Sequence, residues 1–221
     1  MAETARASEH YDAAYFNWQK SIGEFAGWAD KHKFQPSIKQ DDTVIDFGCG
    51  GGFLLRNLSC KRKIGIEPNP EAAKALADSG ILHFFSAPDA LEELGEGVAN
   101  VIISNHALEH TLDPLQEIKN LRPLLKSSGI IHFVVPCESI NTRYVSTDVN
   151  HHLFTWSPLN LGNLFEEAGY VVEYSRPYIH KWPPRFRQIS LLGWPIFNFA
   201  CRVYGHIERT HFHVELRASK T

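Results

Sequence analysis

Short apolar segments alternate with helix-like segments from residue 43 to residue 175, and this alternation is the strongest constraint on the fold. Strands that alternate with helices are typical of a parallel sheet covered on both faces, and right-handed crossovers make such a sheet doubly wound. Ligands bind such sheets at the carboxyl ends of the strands, so we expect functional residues just after each strand. The predicted strands are 43–47, 63–67, 81–86, 100–104, 130–136, 170–175 and 211–219.

The length of 221 residues favours one α/β domain with a modest extension. Aromatic residues at three- and four-residue spacings over 9–33 predict a leading helix, which Gln35-Pro36 ends. A second unusual stretch, rich in aromatic and basic residues, separates the last two predicted strands. We therefore divide the chain into an N-terminal helical segment, a core, an insertion and a final strand, at residues 1–40, 41–175, 176–209 and 210–221.

The composition is that of an ordinary globular protein, with 43% apolar and 21% charged residues. Lys and Arg number 22 against 25 Asp and Glu, and this net charge of −3 argues against a nucleic-acid partner. The 4 cysteines form no C-x-x-C pair, which favours a reducing, cytoplasmic compartment. The polar N-terminus predicts no signal peptide, and the absence of a long apolar run predicts no membrane span.

Residues 44–53 (VIDFGCGGGF) place three glycines between a predicted strand and a predicted helix. Glycine permits positive φ angles and a close approach of the backbone to a ligand. Glu67 closes the next predicted strand, where an acid accepts hydrogen bonds from the hydroxyls of an adenosine ribose. The pattern therefore predicts a nucleoside site formed by Gly48, Gly50, Gly52 and Glu67.

Two features argue against the common phosphate-containing cofactors. Phe53 stands where the dinucleotide pattern G-x-G-x-x-G/A requires a small residue, and the sequence has no Gly-Lys-Ser/Thr phosphate loop. Residues 86–117 contain acids but no Lys or Arg, and such a stretch repels a pyrophosphate and tolerates a cation. A nucleoside with a positive charge and no phosphate fits better, and S-adenosylmethionine (SAM) is that molecule.

Two segments carry a resemblance to the class I SAM-dependent methyltransferases. The glycine segment with Asp46 resembles motif I of that family. Residues 100–110 (NVIISNHALEH), followed by Asp113-Pro114, resemble its fourth strand and the L-E-H…D-P segment after it. The chain departs from the family at Ala87, where many members have Asp, and at Ala99-Asn100, which replaces a common Phe-Asp.

The resemblance extends over residues 43–175 and points to one branch of the family. Residues 121–136 resemble its helix–turn–strand motif. Residues 151–155 (HHLFT) and 167–170 (EAGY) resemble the small-molecule branch, the methyltransferase domains of type 11/23. This implies a doubly wound, Rossmann-like sheet of about seven mostly parallel strands with an antiparallel last strand and helices on both faces.

The resemblance also implies a role for each residue of the cofactor site. Asp46 would hold the glycine loop or meet the amino group of the ligand, Glu67 would bind the ribose, and Ala87 would lie near the adenine through its backbone. The end of the fourth strand would lie beside the sulfonium. The leading helix would close over the cofactor as a lid, although its tyrosines fit core packing equally well. The residues meant here are Gly48, Gly50 and Gly52 of the loop, Asn105 and His106 at the end of the fourth strand, and Tyr11 and Tyr15 of the leading helix.

The histidines allow two interpretations. The segment from His106 to His110 spells H-x-x-E-H, a pattern of zinc proteases in which both histidines lie on one face of a helix. Here the segment follows an apolar strand and precedes a Thr-Leu-Asp-Pro turn, so we predict no metal site and a structural role for His110. His151 and His152 follow the fifth strand, and together with His106 they are the candidate catalytic bases.

The sequence thus predicts a SAM-dependent methyltransferase (EC 2.1.1.-) that transfers a methyl group in line to a small-molecule acceptor and releases S-adenosylhomocysteine. An amine or thiol acceptor needs no enzyme base, whereas a hydroxyl acceptor does, and O-, N- and C-methylation all stay open. The alternatives are a catalytically silent SAM-binding regulatory or scaffold protein and a nicotinamide-dependent oxidoreductase.

The insertion at 176–209 predicts a cap over the acceptor. Its aromatic residues favour an apolar or aromatic acceptor, and its basic residues favour an anionic one. The run 189–204 fits contact with a membrane surface, burial in a homodimer or a plain structural cap equally well. Both a monomer and a homodimer agree with the sequence.

Overall fold

The computed structural model describes residues 13–209 and 211–220, and for residues 13–19 it describes the backbone alone. Tyr11 lies outside the described residues, and so does the side chain of Tyr15. The strands are β1 (Thr43–Phe47), β2 (Arg62–Ile66), β3 (Leu82–Phe84), β4 (Ala99–Asn105), β5 (Leu125–Glu138), β6 (Val171–Tyr178) and β7 (His211–Ser219). The helices are α1 (Ala13–Phe34), α2 (Phe53–Asn57), α3 (Pro70–Asp78), α4 (Ala87–Leu94), α5 (Pro114–Leu121), α6 (Pro158–Glu167), α7 (Phe186–Ser190) and α8 (Trp194–Ile207).

The strands form one seven-stranded sheet in the order β3-β2-β1-β4-β5-β7-β6. The first five strands pair in parallel, and β7 is antiparallel to both β5 and β6. This confirms the predicted doubly wound, mostly parallel sheet with an antiparallel last strand. The order reverses between β1 and β4, so the crevice at a topological switch point lies after Phe47 and Asn105.

The central strands are apolar on both faces because helices cover both sides of the sheet. Ile45 and Ile102 belong to the core on one face, with Phe133 of β5. Val44 and Val101 belong to the core on the other face. Because successive side chains of a strand point to opposite faces, a run of apolar residues fills both cores and fixes the strand register.

Four helices begin in the same way, and their starts fix where the loops after the strands end. Asn69, Ser86, Asp113 and Ser157 each accept a hydrogen bond in their side chain from a backbone N–H in the first turn. Each of these helices also has a proline in its first two positions, where the missing N–H has no partner to lose. At the start of α6 the Asn160 side chain also accepts from the backbone N–H of Ser157, which completes a capping box.

The leading helix α1 packs directly on the start of α2. A Cβ atom on Gly27 would lie 2.2 Å from the carbonyl oxygen of Phe53, and one on Gly23 would lie 2.4 Å from the Phe53 ring. Only glycine allows so close an approach, so this pair positions α1 over the glycine segment.

Two helices lie between β6 and β7 that sequence patterning did not predict, α7 and α8. Their aromatic residues pack against α1 rather than against the sheet. Phe25 of α1 contacts the rings of Trp182, Phe186 and Phe197 at centroid distances of 4.9, 4.8 and 5.7 Å. The leading helix and the insertion therefore share a small aromatic core of their own.

Candidate functional site

The glycine segment after β1 forms a tight loop in the left-handed region. Gly48, Gly50 and Gly52 have φ angles of 72°, 50° and 73°, which side chains of L-residues disfavour. The backbone N–H of Gly48 donates to the carbonyl of Ile66 at 2.8 Å, which ties the loop to the end of β2. A Cβ atom on Gly48 would lie 2.2 Å from the Cβ of Ala107, so the loop also touches the segment after β4.

Glu67 lies directly after β2 and holds the same loop. Its Oε2 accepts a hydrogen bond from the N–H of Gly50 at 2.8 Å, and its Oε1 accepts one from the N–H of Asn69 at 2.9 Å. An ionised carboxylate has about four acceptor positions, so both oxygens keep capacity for further donors. The structure thus joins two residues that the sequence predicted for one site.

Two acids lie beside the loop, the buried Asp46 and the partly buried Glu67. Burial, and then the neighbouring charge of Glu67, raise the pKa of the buried Asp46 well above its ordinary range. Burial also raises the pKa of Glu67, although the N–H groups of Asn69 and Gly50 oppose the rise. Within residues 20–209 and 211–220, no Lys or Arg forms an ion pair with either acid. A cationic ligand would relieve this burial cost.

A cavity of about 120 Å³ lies between α1 and the glycine loop. Three predicted cofactor residues line it, Asp46, Gly48 and Asn105, together with Asp30 of α1 and Phe53 of α2. The cavity is therefore bounded by the ends of β1 and β4 on one side and by the leading helix on the other.

Asn105 is held by an ion pair on α1. Lys33 Nζ lies 3.0 Å from Asp30 Oδ1, and both side chains are largely buried. Asn105 Nδ2 donates to Asp30 Oδ2 at 3.1 Å, and Asn105 Oδ1 accepts from Lys33 Nζ at 3.1 Å. Sequence patterning did not find Asp30 and Lys33, because nothing in the helix marks a contact with a strand so distant in the chain.

Three histidines surround one buried acid after β4. Glu109 has no exposed surface, and its Oε1 lies 3.5 Å from His106 Nδ1, 3.8 Å from His110 Nε2 and 3.9 Å from His152 Nε2. His152 comes from the loop after β5, which lies beside β4 in the sheet. Two of the predicted catalytic histidines, His106 and His152, therefore lie close to Glu109, which the sequence analysis identified only as part of the H-x-x-E-H pattern.

The histidine cluster has perturbed protonation and strained backbone. Burial lowers the pKa of His110 to about 4, opposed by Glu109 and reinforced by His152. Burial alone would raise the pKa of Glu109, but the neighbouring imidazoles of His106 and His110 outweigh it, so that pKa is lowered. His106 and His151 have φ angles of 58° and 48°, and such strain is concentrated at functional sites.

The remaining predicted site residues lie elsewhere in the structure or outside its described part. His151 is exposed and donates its backbone N–H to Asp148 Oδ2 at 3.2 Å, so its side chain is not among those around Glu109. Ala87 begins α4 after β3 and is fully buried. Tyr11 and the side chain of Tyr15 fall outside the described residues.

In the part of the chain that the structure describes, no helix is both long and apolar enough to cross a membrane.

The doubly wound sheet, the glycine loop held by an acid after β2, and the crevice between β1 and β4 define the class I SAM-dependent methyltransferases. The family model described as Methyltransferase domain matches residues 21–175, and the chain belongs to that family.

Curated relatives differ in their named activities. An uncharacterized methyltransferase of Schizosaccharomyces pombe is 25% identical over 69% of this chain and 71% of its own length. A ubiquinone biosynthesis O-methyltransferase of Caulobacter vibrioides is 26% identical over 70% of this chain and 59% of its own length. A tRNA U34 carboxymethyltransferase of Shewanella oneidensis is 32% identical over 45% of this chain and 33% of its own length. The chain thus spans less than two thirds of the latter two.

Solved structures share the fold at low sequence identity. The methyltransferase in complex with the Trm112 methyltransferase activator of Haloferax volcanii has a TM-score of 0.68 and 18% identity, over 96% of each chain. Phosphoethanolamine N-methyltransferase 2 of Haemonchus contortus, in complex with SAM, has a TM-score of 0.61 and 14% identity, over 87% of this chain and 52% of that one.

Proposed function

We propose that this methyltransferase binds SAM at the glycine loop and methylates a small-molecule acceptor held at the ends of β4 and β5. The observation that carries the proposal is the pair of acids, the buried Asp46 and the partly buried Glu67, beside a loop whose glycines leave the backbone accessible. SAM has a sulfonium, an ammonium and a ribose, and these are the groups that such acids attract. The Haemonchus contortus relative in fold is described in complex with SAM, which supports this assignment.

In this proposal each end of the loop binds a different part of SAM. Asp46 attracts the positive charge of the methionine portion, and Gly48, Gly50 and Gly52 offer backbone groups at close approach. Glu67 accepts the ribose hydroxyls with its remaining acceptor positions. Ala87 borders the adenine at the start of α4, and Asn105 lies on the wall nearest the reacting atoms.

Bound SAM supplies an electrophilic methyl group and leaves as the neutral thioether S-adenosylhomocysteine. The protein contributes alignment, which is worth roughly 7–11 kcal/mol for well-oriented reactants. We assign the role of general base for a hydroxyl acceptor to His106, because His106 directly follows Asn105, which lines the cavity. Glu109, 3.5 Å from His106 Nδ1, stabilises the resulting imidazolium. His152 Nε2 lies 3.9 Å from the same carboxylate, and the neighbouring His151 is exposed.

A small molecule fits the acceptor site better than a nucleic acid. Residues 86–117 contain seven acids and no Lys or Arg, and such a stretch opposes a phosphate backbone. The relatives include both a ubiquinone biosynthesis O-methyltransferase and a tRNA U34 carboxymethyltransferase, so the acceptor assay includes both classes.

We propose further that residues 1–40 act as a lid over SAM and that residues 176–209 cap the acceptor. The aromatic core shared by α1 and α8 supports this division, because it joins the helix over the glycine loop to the insertion. The cap favours an apolar or aromatic acceptor, and its arginines suit an anionic group on it.

One face of α8 supports a peripheral contact with an anionic membrane surface. Ile196, Phe199, Val203 and Ile207 follow one another at three- and four-residue spacings and are 49%, 70%, 43% and 74% exposed. Arg202 is exposed beside them. An apolar face with flanking basic residues is the pattern of an interfacial helix, and it gives the enzyme access to a lipid-soluble acceptor in a cytoplasmic setting. A homodimer through the same face is the competing occupant.

The experiment has two stages. Calorimetry measures SAM binding to the wild type and to Glu67→Ala, and we expect the variant to lose most of its affinity. Release of S-adenosylhomocysteine is then measured with small phenols, carboxylic acids, amines and unmodified tRNA. Turnover on a small molecule supports the proposal. Turnover on tRNA alone overturns the acceptor assignment, and SAM binding that is unchanged by Glu67→Ala overturns the cofactor site.

A further inference from the structure

Glu109 is a buried acid whose carboxylate is left unsatisfied by the described part of the chain. It is completely buried, and neither of its carboxylate oxygens has a hydrogen-bond partner among the described residues. The nearest of the three imidazole nitrogens, His106 Nδ1, lies 3.5 Å away, at the long limit of a hydrogen bond. A buried carboxylate without partners is costly, and buried charges in proteins are paired or bind metals.

The ring nitrogens of His110 and His152 lie near Glu109 and indicate how its buried charge is compensated. One ligand atom each from Glu109, His110 and His152 lies within 4.8 Å of the other two. In zinc sites the bonds to His nitrogen and to carboxylate oxygen are about 2.0–2.2 Å long, so one ion can reach all three groups after a small contraction. The set of two imidazoles and one carboxylate is a known donor set for catalytic zinc.

The outer contacts of the two histidines match those of metal ligands. A ligating histidine typically gives its second ring nitrogen to a carboxylate or a backbone carbonyl, which fixes the ring orientation. His152 Nδ1 lies 2.7 Å from Glu138 Oε1, which leaves Nε2 as the nitrogen on the side of Glu109. The ring of His110 hydrogen-bonds the backbone of His151, while its Nε2 lies 3.8 Å from Glu109.

We infer that Glu109, His110 and His152 form a binding site for one divalent transition-metal ion, with Zn²⁺ as the best-matched ion. The two nitrogen donors favour Zn²⁺ over Mg²⁺ and Ca²⁺, which prefer oxygen ligands. Glu138 is a positioning residue that orients His152. Three protein ligands leave a fourth position of the tetrahedron for water or for an oxygen of the acceptor.

The sequence alone predicts no metal site here, because the H-x-x-E-H pattern binds metal only with His106 and His110 on one face of a long helix. The structure instead has a short turn over Leu108–His110 and recruits His152 from the loop after the neighbouring strand. The third ligand thus comes from a residue 42 positions later in the chain, which a local pattern cannot show.

The test uses the full chain after treatment with a chelator and dialysis, with Zn²⁺ and Co²⁺ as probes. Equilibrium dialysis with elemental analysis gives the stoichiometry and affinity, and the absorption spectrum of Co²⁺ reports its ligands. We expect one ion per chain and a Co²⁺ spectrum of nitrogen and oxygen ligation. His152→Ala and Glu109→Gln should abolish tight binding, and Glu138→Gln should weaken it about 10–100-fold.

The matched control is His206→Ala, since His206 is an exposed histidine on α8 away from the cluster. It should bind the ion as the wild type does. Thermal melting in chelator checks that each variant folds, and if Glu109→Gln fails this check, the partly exposed His152 and Glu138 still carry the test. Substoichiometric binding by the wild type, equal loss in His206→Ala, or a thiolate band in the Co²⁺ spectrum each overturns the inference. SAM affinity is measured separately, so a failed metal site leaves the proposed function standing.

Discussion

Glu67 Oε2 accepts a hydrogen bond from the backbone N–H of Gly50 at 2.8 Å, across the gap between the ends of β2 and β1. The acid therefore does two things at once: it fixes the loop and presents its remaining acceptor positions to a ligand. Because the two oxygens already bind Gly50 and Asn69, the carboxylate is oriented before any ligand arrives. Such preorganisation lowers the entropic cost of binding.

Glu67→Gln should weaken SAM binding by at least about tenfold, because the amide replaces one acceptor oxygen with a donor and removes the charge. Calorimetry at constant pH measures the change. The control is Glu71→Gln, an exposed acid on α3 that also removes one negative charge near the loop. Equal losses in the two variants would mean that only the net charge matters.

Asp46→Asn should raise thermal stability and lower SAM affinity together. The pKa of Asp46 is raised in the folded state, by burial and by Glu67, so the unfolded state releases this proton first as pH rises. The contribution of Asp46 to folding stability therefore becomes more unfavourable as pH rises from the ordinary pKa of an aspartate to the raised pKa. The asparagine variant avoids this loss, and its melting temperature should exceed that of the wild type by a few degrees at pH 8 and by less at pH 4.5.

The charged and titratable groups around Asp46 also include Cys49 and Asp30, which line the same cavity, so the pH series needs a reference. Asp41→Asn removes an exposed carboxylate just before β1 and should show no pH-dependent gain. A gain for Asp46→Asn that is the same at both pH values would contradict the assignment of the effect to its titration.

Gly27→Ala should destabilise the fold by about 1–3 kcal/mol, because its Cβ would lie 2.2 Å from a backbone oxygen of Phe53 and α1 would have to move away. Gly162→Ala is the matched control, since it also lies within a helix but its Cβ would meet Ser175 Cβ at an ordinary 3.6 Å. The control should stabilise by up to about 1 kcal/mol through helix propensity. Chemical denaturation gives both values, and the same sign for both would refute the close contact.

Phe199→Glu should reduce cosedimentation with vesicles that contain an anionic phospholipid, because it adds a negative charge to the exposed face of α8. Leu159→Glu, at an exposed apolar position on α6, is the control and should sediment as the wild type does. The competing result is a wild type that ignores vesicles but dissociates from dimer to monomer on Phe199→Glu, as measured by sedimentation velocity.

The sequence was most informative where local rules decide the structure. β1 and β7 have the predicted bounds, because alternating or continuous apolar runs flanked by turn residues leave few choices. Ser157 caps α6 by a local rule as well, since its side chain accepts a hydrogen bond from a free N–H group of the first turn. The glycine loop and Glu67 also follow from a pattern in which each residue type has a physical reason.

The sequence was least informative where two distant segments meet. The helices α7 and α8 are rich in aromatic residues, which are weak helix formers, and their burial against α1 stabilises them. Glu109 lies close to His152, which follows the neighbouring strand β5 and is distant in the sequence. Lys33 and Asn105 likewise meet only in the folded chain, where each satisfies the other.

The packing of Gly23 and Gly27 on Phe53 has a consequence for how this enzyme could be re-engineered. At that contact the spacing between α1 and α2 is set by main-chain and ring atoms, so these two positions tolerate almost no added volume. The insertion meets α1 through replaceable side chains instead, such as His32 stacked on Trp194 at 3.7 Å. Libraries aimed at new acceptors would therefore find their productive changes at these aromatic contacts, where reshaping one side chain does not displace a backbone.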